Sequence, residues 1–358
     1  MPDSQRPRHA VFHPLRVAAI DELTDDAVAI TFDVPDELRE DYAFVHGQHL
    51  NIRGGDDVRR SYSICTPPSS GVLRIGVKRL AGGAFSEGVV DRLRVGDELE
   101  VSTPAGRFTT ELDPTAVRRY AAVAAGSGIT PVLSIVAAIL EGEPGSFVTL
   151  VYANRTSRSV MFLDEVHDLK DRFPERFQVL HVLSRETQDV ELLSGRLDAK
   201  RFTGILEAFL PPEDVDDWFL CGPQQMVEDL RGVLTDAGAT RVHTELFHAD
   251  PVPRAPVAAL ADGAEGAASV TIRLDGRGTD LTLRPDDVSV LEAALRERAD
   301  LPFACKGGVC GTCRAKLVEG TVQMDANYAL EPDEIEKGYV LTCQSHPTSA
   351  KVVLDYDA

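Results

Sequence analysis

Four cysteines constrain this chain more than any other feature. Three stand in one loop, Cys305-Lys306-Gly307-Gly308-Val309-Cys310-Gly311-Thr312-Cys313, and Cys343 stands apart from them. C-x4-C-x2-C followed by a distant cysteine is the spacing of a [2Fe–2S] centre, whose two irons need four thiolates. Bound sulfurs become acceptors, so the loop around them must offer bare N–H groups. Gly307, Gly308 and Gly311 permit that approach because they carry no Cβ. Structural zinc also takes four thiolates, but its ligands usually come as two short knuckles, and here three crowd one loop.

The 358 residues leave room for two or three domains. A net charge of −20 argues against a nucleic-acid binder, which needs a basic footprint. It suits plain solubility or a basic docking partner. No apolar run is long enough for a membrane span, and the polar stretch Met1–His13 lacks the apolar core of a secretory signal. With six cysteines, four of them in the cluster pattern, the expectation is a cytoplasmic protein in a reducing compartment.

The first hundred residues alternate in short apolar segments: Leu15–Ile20, Ala27–Phe32, Gln48–Arg53, Arg59–Ile64, Leu73–Lys78 and Glu98–Ser102. Six short strands imply a small antiparallel barrel, interrupted by a helix over Ala84–Leu93. From Tyr120–Ala125, a continuous apolar run, the pattern turns to alternating strands and helices, which means a doubly wound parallel sheet. Its further strands are Val148–Ala153, Phe177–Leu183, Trp218–Cys221 and Arg241–Phe247. Its helices follow Thr130, as N-cap, and Pro131, then cover Leu163–Lys170 and Gln224–Ala237. Residues 249–268, rich in Pro and Ala, read as a linker. A last domain over 269–358 holds the pair Val270–Leu274 and Thr279–Leu283, a helix over Val290–Arg298, the cysteine loop, and strands near Arg314–Glu319 and Lys351–Asp355. The boundaries are 1–113, 114–248, 249–268 and 269–358.

Several motifs invite chemistry. Arg60 can grip a phosphate, and Tyr62, two positions on, shares its face and offers a flat ring, or serves as a rim aromatic. The turn Gly82-Gly83-Ala84-Phe85-Ser86 is a possible pyrophosphate cradle or a plain helix cap. Gly126-Ser127-Gly128, between strand and helix, is placed to cradle a second pyrophosphate. The acid that grips a free ribose hydroxyl in NAD sites is missing from the end of the second strand, which reads Asn154-Arg155-Thr156. The third ends in Ser184-Arg185, so two cations stand where a 2′-phosphate could sit, or are merely solvated. Cys221-Gly222-Pro223 puts a sulfur either in the core or beside a nicotinamide, since ligands bind at the carboxyl ends of such strands. Phe247, after Glu245-Leu246, either covers a flavin or is core.

In order, Arg60-x-Tyr62-Ser63, Gly126-x-Gly128-Ile129-Thr130-Pro131, Cys221-Gly222-Pro223 and Glu245-x-Phe247 resemble the ferredoxin–NADP reductase family. The cysteine domain resembles a plant-type ferredoxin. The resemblance spans roughly residues 12–357 and implies a flavin barrel, a nucleotide domain and a β-grasp ferredoxin domain. It implies FAD held by Arg60, Tyr62, Ser63, Gly83 and Ser86 and covered by Phe247, and NADPH held by Gly126, Gly128, Thr130, Arg155, Ser184, Arg185 and Gly222. It marks Ser63, Cys221 and Glu245 as catalytic. The cluster ligands are Cys305, Cys310, Cys313 and Cys343. His46-Gly47-Gln48 stands where the family carries Pro-Gly-Gln. Among electron-transfer subunits of multicomponent oxygenases, Val160-Met161-Phe162 and Met324–Leu330 are most similar to the reductases of phenylacetyl-CoA epoxidases. Those deliver electrons to a diiron oxygenase. NADH-dependent reductases of steroid 9α-hydroxylases or of other Rieske or diiron oxygenases are the competing reading. A non-enzymatic iron–sulfur or zinc scaffold is the alternative of another class.

Overall fold

The computed structural model describes residues 10–54, 58–80, 83, 85–247, 267–284 and 287–358. They fall into two compact units, one of Phe12–Val58 with Tyr62–Phe247, the other of the residues from 267 onward, with which Arg59–Ser61 are grouped.

The first unit opens with strands β1 (Phe12–Thr24), β2 (Ala27–Asp33), β3 (His49–Arg53), β4 (Arg59–Ser63), β5 (Leu73–Lys78) and β6 (Glu98–Ser102). They run in the order β4-β3-β6-β1-β2-β5. A bridge between Ile64 and Ile75 joins the two ends of that order and closes the barrel. Closure satisfies backbone groups that an open edge would leave bare. Leu15, Val17, Leu50, Ile52, Ile75 and Val77 fill the interior. β1 is longer than its apolar pattern suggests. Helix α1 covers Ser86–Arg92, inside the expected Ala84–Leu93; Ala84 lies outside the described residues.

The same unit continues into a parallel sheet of β7 (Arg119–Ala125), β8 (Phe147–Asn154), β9 (Phe177–Leu183), β10 (Asp217–Gly222) and β11 (Val242–Leu246). The order is β11-β10-β7-β8-β9. Helices α2 (Ile129–Gly142), α3 (Leu163–Arg172), α4 (Ala199–Phe209) and α5 (Gln224–Asp236) connect and cover it. The structure corrects two expectations. Thr130 is no N-cap: α2 begins at Ile129, and the Thr130 hydroxyl donates back to the Ser127 carbonyl at 3.1 Å. Helix α4 has no counterpart among the helices expected from sequence, because Thr203 and Gly204, poor helix formers, interrupt its apolar stripe. It starts on Asp198, whose carboxylate accepts the Arg201 N–H at 2.9 Å, and buries Phe202, Ile205 and Leu206.

Barrel and parallel sheet share one core. Ala27, Ala29 and Cys65 of the barrel belong to the same apolar cluster as Val132, Ile135 and Val136 of α2. Gly76 in β5 makes that approach possible, since a Cβ there would come within 2.7 Å of Thr130 Cγ2. Ser134 of α2 donates to the Thr66 carbonyl at 2.7 Å. Helix α2 is therefore apolar almost all round, as a helix covered on both sides must be.

The second unit is a β-grasp fold. Strands β12 (Ala268–Leu274) and β13 (Arg277–Leu283) turn at Asp275-Gly276, both with positive φ (54° and 67°), the geometry of a two-residue hairpin. Helix α6 (Val290–Glu297) is capped by Ser289 and buries Val290, Leu291, Ala293 and Ala294. Then follow β14 (Arg314–Glu319), β15 (Val322–Met324), α7 (Pro332–Glu336), β16 (Tyr339–Leu341), β17 (Ser345–Pro347) and β18 (Lys351–Asp355). The main sheet runs β13-β12-β18-β14-β16, and β15 pairs with β17. Of the expected linker, 249–266 lie outside the described residues, and β12 begins at Ala268.

Candidate functional site

The three residues expected at a hydride-transfer centre come together. Ser63, buried at the end of β4, donates its hydroxyl to Glu245 Oε1 at 3.0 Å. Glu245 on β11 stands in register with Cys221 on β10. Cys221 is fully buried; burial pushes its thiol well up, and the neighbouring Glu245 charge adds to that. The sulfur is thus a neutral, compact group rather than a nucleophile. Phe247 follows β11 and is 39% exposed.

On β4, Arg60 is exposed and donates to the Arg59 carbonyl at 2.8 Å. The half-buried Tyr62 ring lies 5.7 Å from that of Phe85. Histidine in place of proline at position 46 leaves the turn intact. Gly47 has φ +80°, and a Cβ there would lie 1.8 Å from the Phe108 carbonyl oxygen. Gln48 accepts the Val45 N–H through its side chain at 2.9 Å.

The two glycine turns differ. Gly83 donates to the Leu80 carbonyl at 2.9 Å, and the Ser86 oxygen accepts the Leu80 N–H at 3.1 Å. That turn is closed on itself. Gly126 sits at φ +54° with open space where a Cβ would project. Gly128 serves packing: a Cβ there would come within 2.3 Å of the Cys221 carbonyl oxygen. Gly222 likewise lets β10 approach Ala125. The carboxyl ends of β7 and β10 thus meet where the strand order reverses, the crevice in which doubly wound sheets bind nucleotides.

Beyond β8 and β9 the backbone stays paired. Ser184 N–H donates to the Asn154 carbonyl at 2.9 Å and Arg185 N–H to that of Arg155 at 2.7 Å. This sets the exposed Arg155 and Arg185 at facing positions. Two residues that no sequence pattern singles out join them. Ser157 N–H and Oγ–H both donate to Glu186 Oε1, each at 3.1 Å. No spacing signals this pair; it exists because β8 and β9 are neighbours.

In the second unit the four cysteines form two pairs. Cys305 lies within hydrogen-bonding reach of Cys310, and Cys313 of Cys343. Their shared hydrogen bonds, then burial, push the Cys305 and Cys313 thiols well up, while Cys343, as acceptor from Cys313, is pulled down. Metal ligation takes the thiolate form, so binding a cluster here would release the protons these pairs share. Two pairs fit two irons with two protein ligands each. The loop is shaped for it: Lys306, Gly308 and Gly311 adopt positive φ. Gly307 N–H donates to Cys305 Sγ at 3.4 Å. Thr342, fully buried, donates to the Cys313 carbonyl at 3.0 Å and fixes the two distant ligands together. Gln344, which no motif marks, donates its amide to the Lys306 carbonyl at 2.9 Å and towards Cys343 Sγ at 3.6 Å.

These features define a flavin- and nucleotide-binding iron–sulfur reductase, and comparison with known proteins agrees. Residues 14–110 match the oxidoreductase FAD-binding domain, 122–232 the oxidoreductase NAD-binding domain, and 272–348 the 2Fe-2S iron-sulfur cluster binding domain. The chain is 44% identical over 352 residues to a subunit of the 1,2-phenylacetyl-CoA epoxidase of Escherichia coli, covering 97% of this chain and 98% of that one. It is 35% identical to the ferredoxin reductase component of 3-ketosteroid-9-alpha-monooxygenase from Rhodococcus rhodochrous, over 96% of both chains. Among solved structures, phthalate dioxygenase reductase matches with a TM-score of 0.57 and 25% identity, over 96% of this chain and 98% of that one. The chain belongs to the ferredoxin-reductase components of multicomponent oxygenases, the family of that epoxidase component and the ketosteroid reductases. It is an oxidoreductase that moves electrons from a nicotinamide nucleotide through FAD and a [2Fe–2S] cluster. No helix among the described residues is long and apolar enough to cross a membrane.

Proposed function

We propose that this chain is the cytoplasmic reductase of a phenylacetyl-CoA epoxidase, drawing on NADPH and serving a diiron oxygenase partner. The observation that carries this is the 44% identity to the Escherichia coli epoxidase component across nearly the full length of both chains. FAD supplies the step between a two-electron hydride donor and a one-electron cluster. The residues of this chain bind, orient and shield. Arg60 holds the flavin phosphate and Tyr62 packs on the ring, with Gly83 and Ser86 at the pyrophosphate. Ser63, whose proton goes to Glu245, offers its oxygen to the flavin edge. Cys221 provides a neutral contact for the nicotinamide, and Phe247 covers the flavin until the nucleotide arrives. The open turn at Gly126 offers N–H groups to the nucleotide phosphates, while Gly128, Thr130 and Gly222 shape that crevice. Arg155, Ser184 and Arg185 take the 2′-phosphate. Cys305, Cys310, Cys313 and Cys343 ligate the cluster.

Reconstitution tests this. With purified oxygenase components, the chain should support NADPH-dependent consumption of phenylacetyl-CoA. Alone, it should reduce ferricyanide with no thioester present. Tight binding of phenylacetyl-CoA to this chain by itself, or activity only with a ketosteroid oxygenase, would sink the assignment.

A further inference from the structure

The corner between the ends of β8 and β9 is cationic by sequence yet already holds an anion. Arg155 and Arg185 face each other there, tied by the Arg185 N–H to Arg155 carbonyl bond of 2.7 Å. Between their chains the Glu186 carboxylate rests on two donors of Ser157, the N–H and the hydroxyl, both at 3.1 Å. Those donors and the two guanidinium groups are what a bound phosphate would use. The carboxylate takes up those Ser157 donors in a corner whose paired backbone also carries Arg155 and Arg185. It repels a 2′-phosphate, which brings nearly two negative charges, and it can accept a hydrogen bond from a free 2′-hydroxyl.

We infer that Glu186 is a specificity-determining residue: its carboxylate, seated on Ser157, competes with the 2′-phosphate of NADPH for the corner flanked by Arg155 and Arg185. The preference for NADPH is then the difference between two opposed contributions. Glu186 lowers the affinity for the phosphorylated nucleotide without touching the hydride, so its effect falls on binding and leaves turnover alone. This rests on the reading that places the adenosine ribose at the ends of β8 and β9.

The test uses Glu186→Gln in the full-length holoprotein. Glutamine keeps an acceptor for Ser157 and removes only the charge. Removal of one like charge a few ångströms from a phosphate is expected to tighten binding by about tenfold at low salt. The dissociation constant for 2′,5′-ADP and the KM for NADPH should both fall by that factor, with kcat unchanged. The affinity for 5′-AMP should stay or weaken, and the gain should shrink as salt rises. Unchanged 2′,5′-ADP binding overturns the inference, and so does equal tightening of 5′-AMP, which would mean a general loop effect. The parent reading fails separately. If Arg185→Ala leaves 2′,5′-ADP binding intact while Glu186→Gln strengthens it, the arginine assignment falls and Glu186 stands.

Discussion

The Ser63 hydroxyl on barrel strand β4 reaches Glu245 on the last strand of the parallel sheet, at 3.0 Å across 182 positions of sequence. The bond locks the flavin-side and nucleotide-side halves of the centre to each other. Glu245 in turn stands beside the buried Cys221. Ser63→Ala should lower kcat for NADPH:ferricyanide reduction by about ten- to a hundredfold, the loss expected for one charge-assisted hydrogen bond. Because Ser63 and Glu245 share that bond, the Ser63→Ala/Glu245→Gln double variant should be little worse than the poorer single variant. Additive losses in stopped-flow hydride transfer would show that the two residues act independently.

Arg60→Ala should lose FAD while the visible spectrum of the cluster persists, because the anchor lies on barrel strand β4 and none of the four cysteines does. Flavin released on denaturation, counted against iron, reads this directly. Full flavin occupancy in the variant would remove Arg60 from the phosphate site.

Cys343→Ser should abolish the [2Fe–2S] centre, since it leaves Cys313 without its paired ligand. Ferricyanide reduction should survive and cytochrome c reduction should fall. In the parent protein, reduction should give a rhombic paramagnetic signal at a potential of about −400 mV. One zinc and no iron in anaerobically purified protein would falsify the ligand set.

Arg185→Ala should raise the KM for NADPH by about 10- to 100-fold, the value of one hydrogen bond to a charged group, and barely change that for NADH. Turnover should hold, because the phosphate contributes equally to ground and transition states. Equal efficiency of the parent protein with both nucleotides would defeat the NADPH assignment and favour the ketosteroid-type reading.

Stability should depend on pH through His46. It is buried, its Nε2 lies 3.0 Å from the Thr109 hydroxyl, and burial holds its imidazole below the ordinary value of 6.5. The unfolded chain therefore takes up the proton first as pH falls. Stability is fully present above about pH 7 and is lost as pH drops through 6.5 toward the folded value. His46→Gln should flatten the melting temperature between about pH 7 and 5. His181, also lowered by burial, has the same sign, so some slope should remain. A slope identical to that of the parent would clear His46 of this role.

The sequence alone determined whatever local chemistry dictates. Cysteine spacing named the cluster, because only thiolates at such intervals can wrap two irons from one loop. Apolar alternation against continuous apolar runs separated the barrel from the parallel sheet, since a strand buried on one face and a strand buried on both carry different patterns. Order along the chain was enough for Arg60, Tyr62, Gly126 and Cys221 to stand out. Helix α4 stayed hidden, because packing of Phe202, Ile205 and Leu206 outweighs the weak propensity of Thr203 and Gly204. Tertiary structure alone decided which distant groups touch. It set Gly128 against the Cys221 carbonyl, joined barrel and sheet into one core through Gly76, and drew Ser63 to Glu245. It also set Glu186 on Ser157 beside the paired backbones of Arg155 and Arg185. Each of these depends on strand order and close approach, and a side-chain contact between neighbouring strands leaves no fixed interval in the sequence.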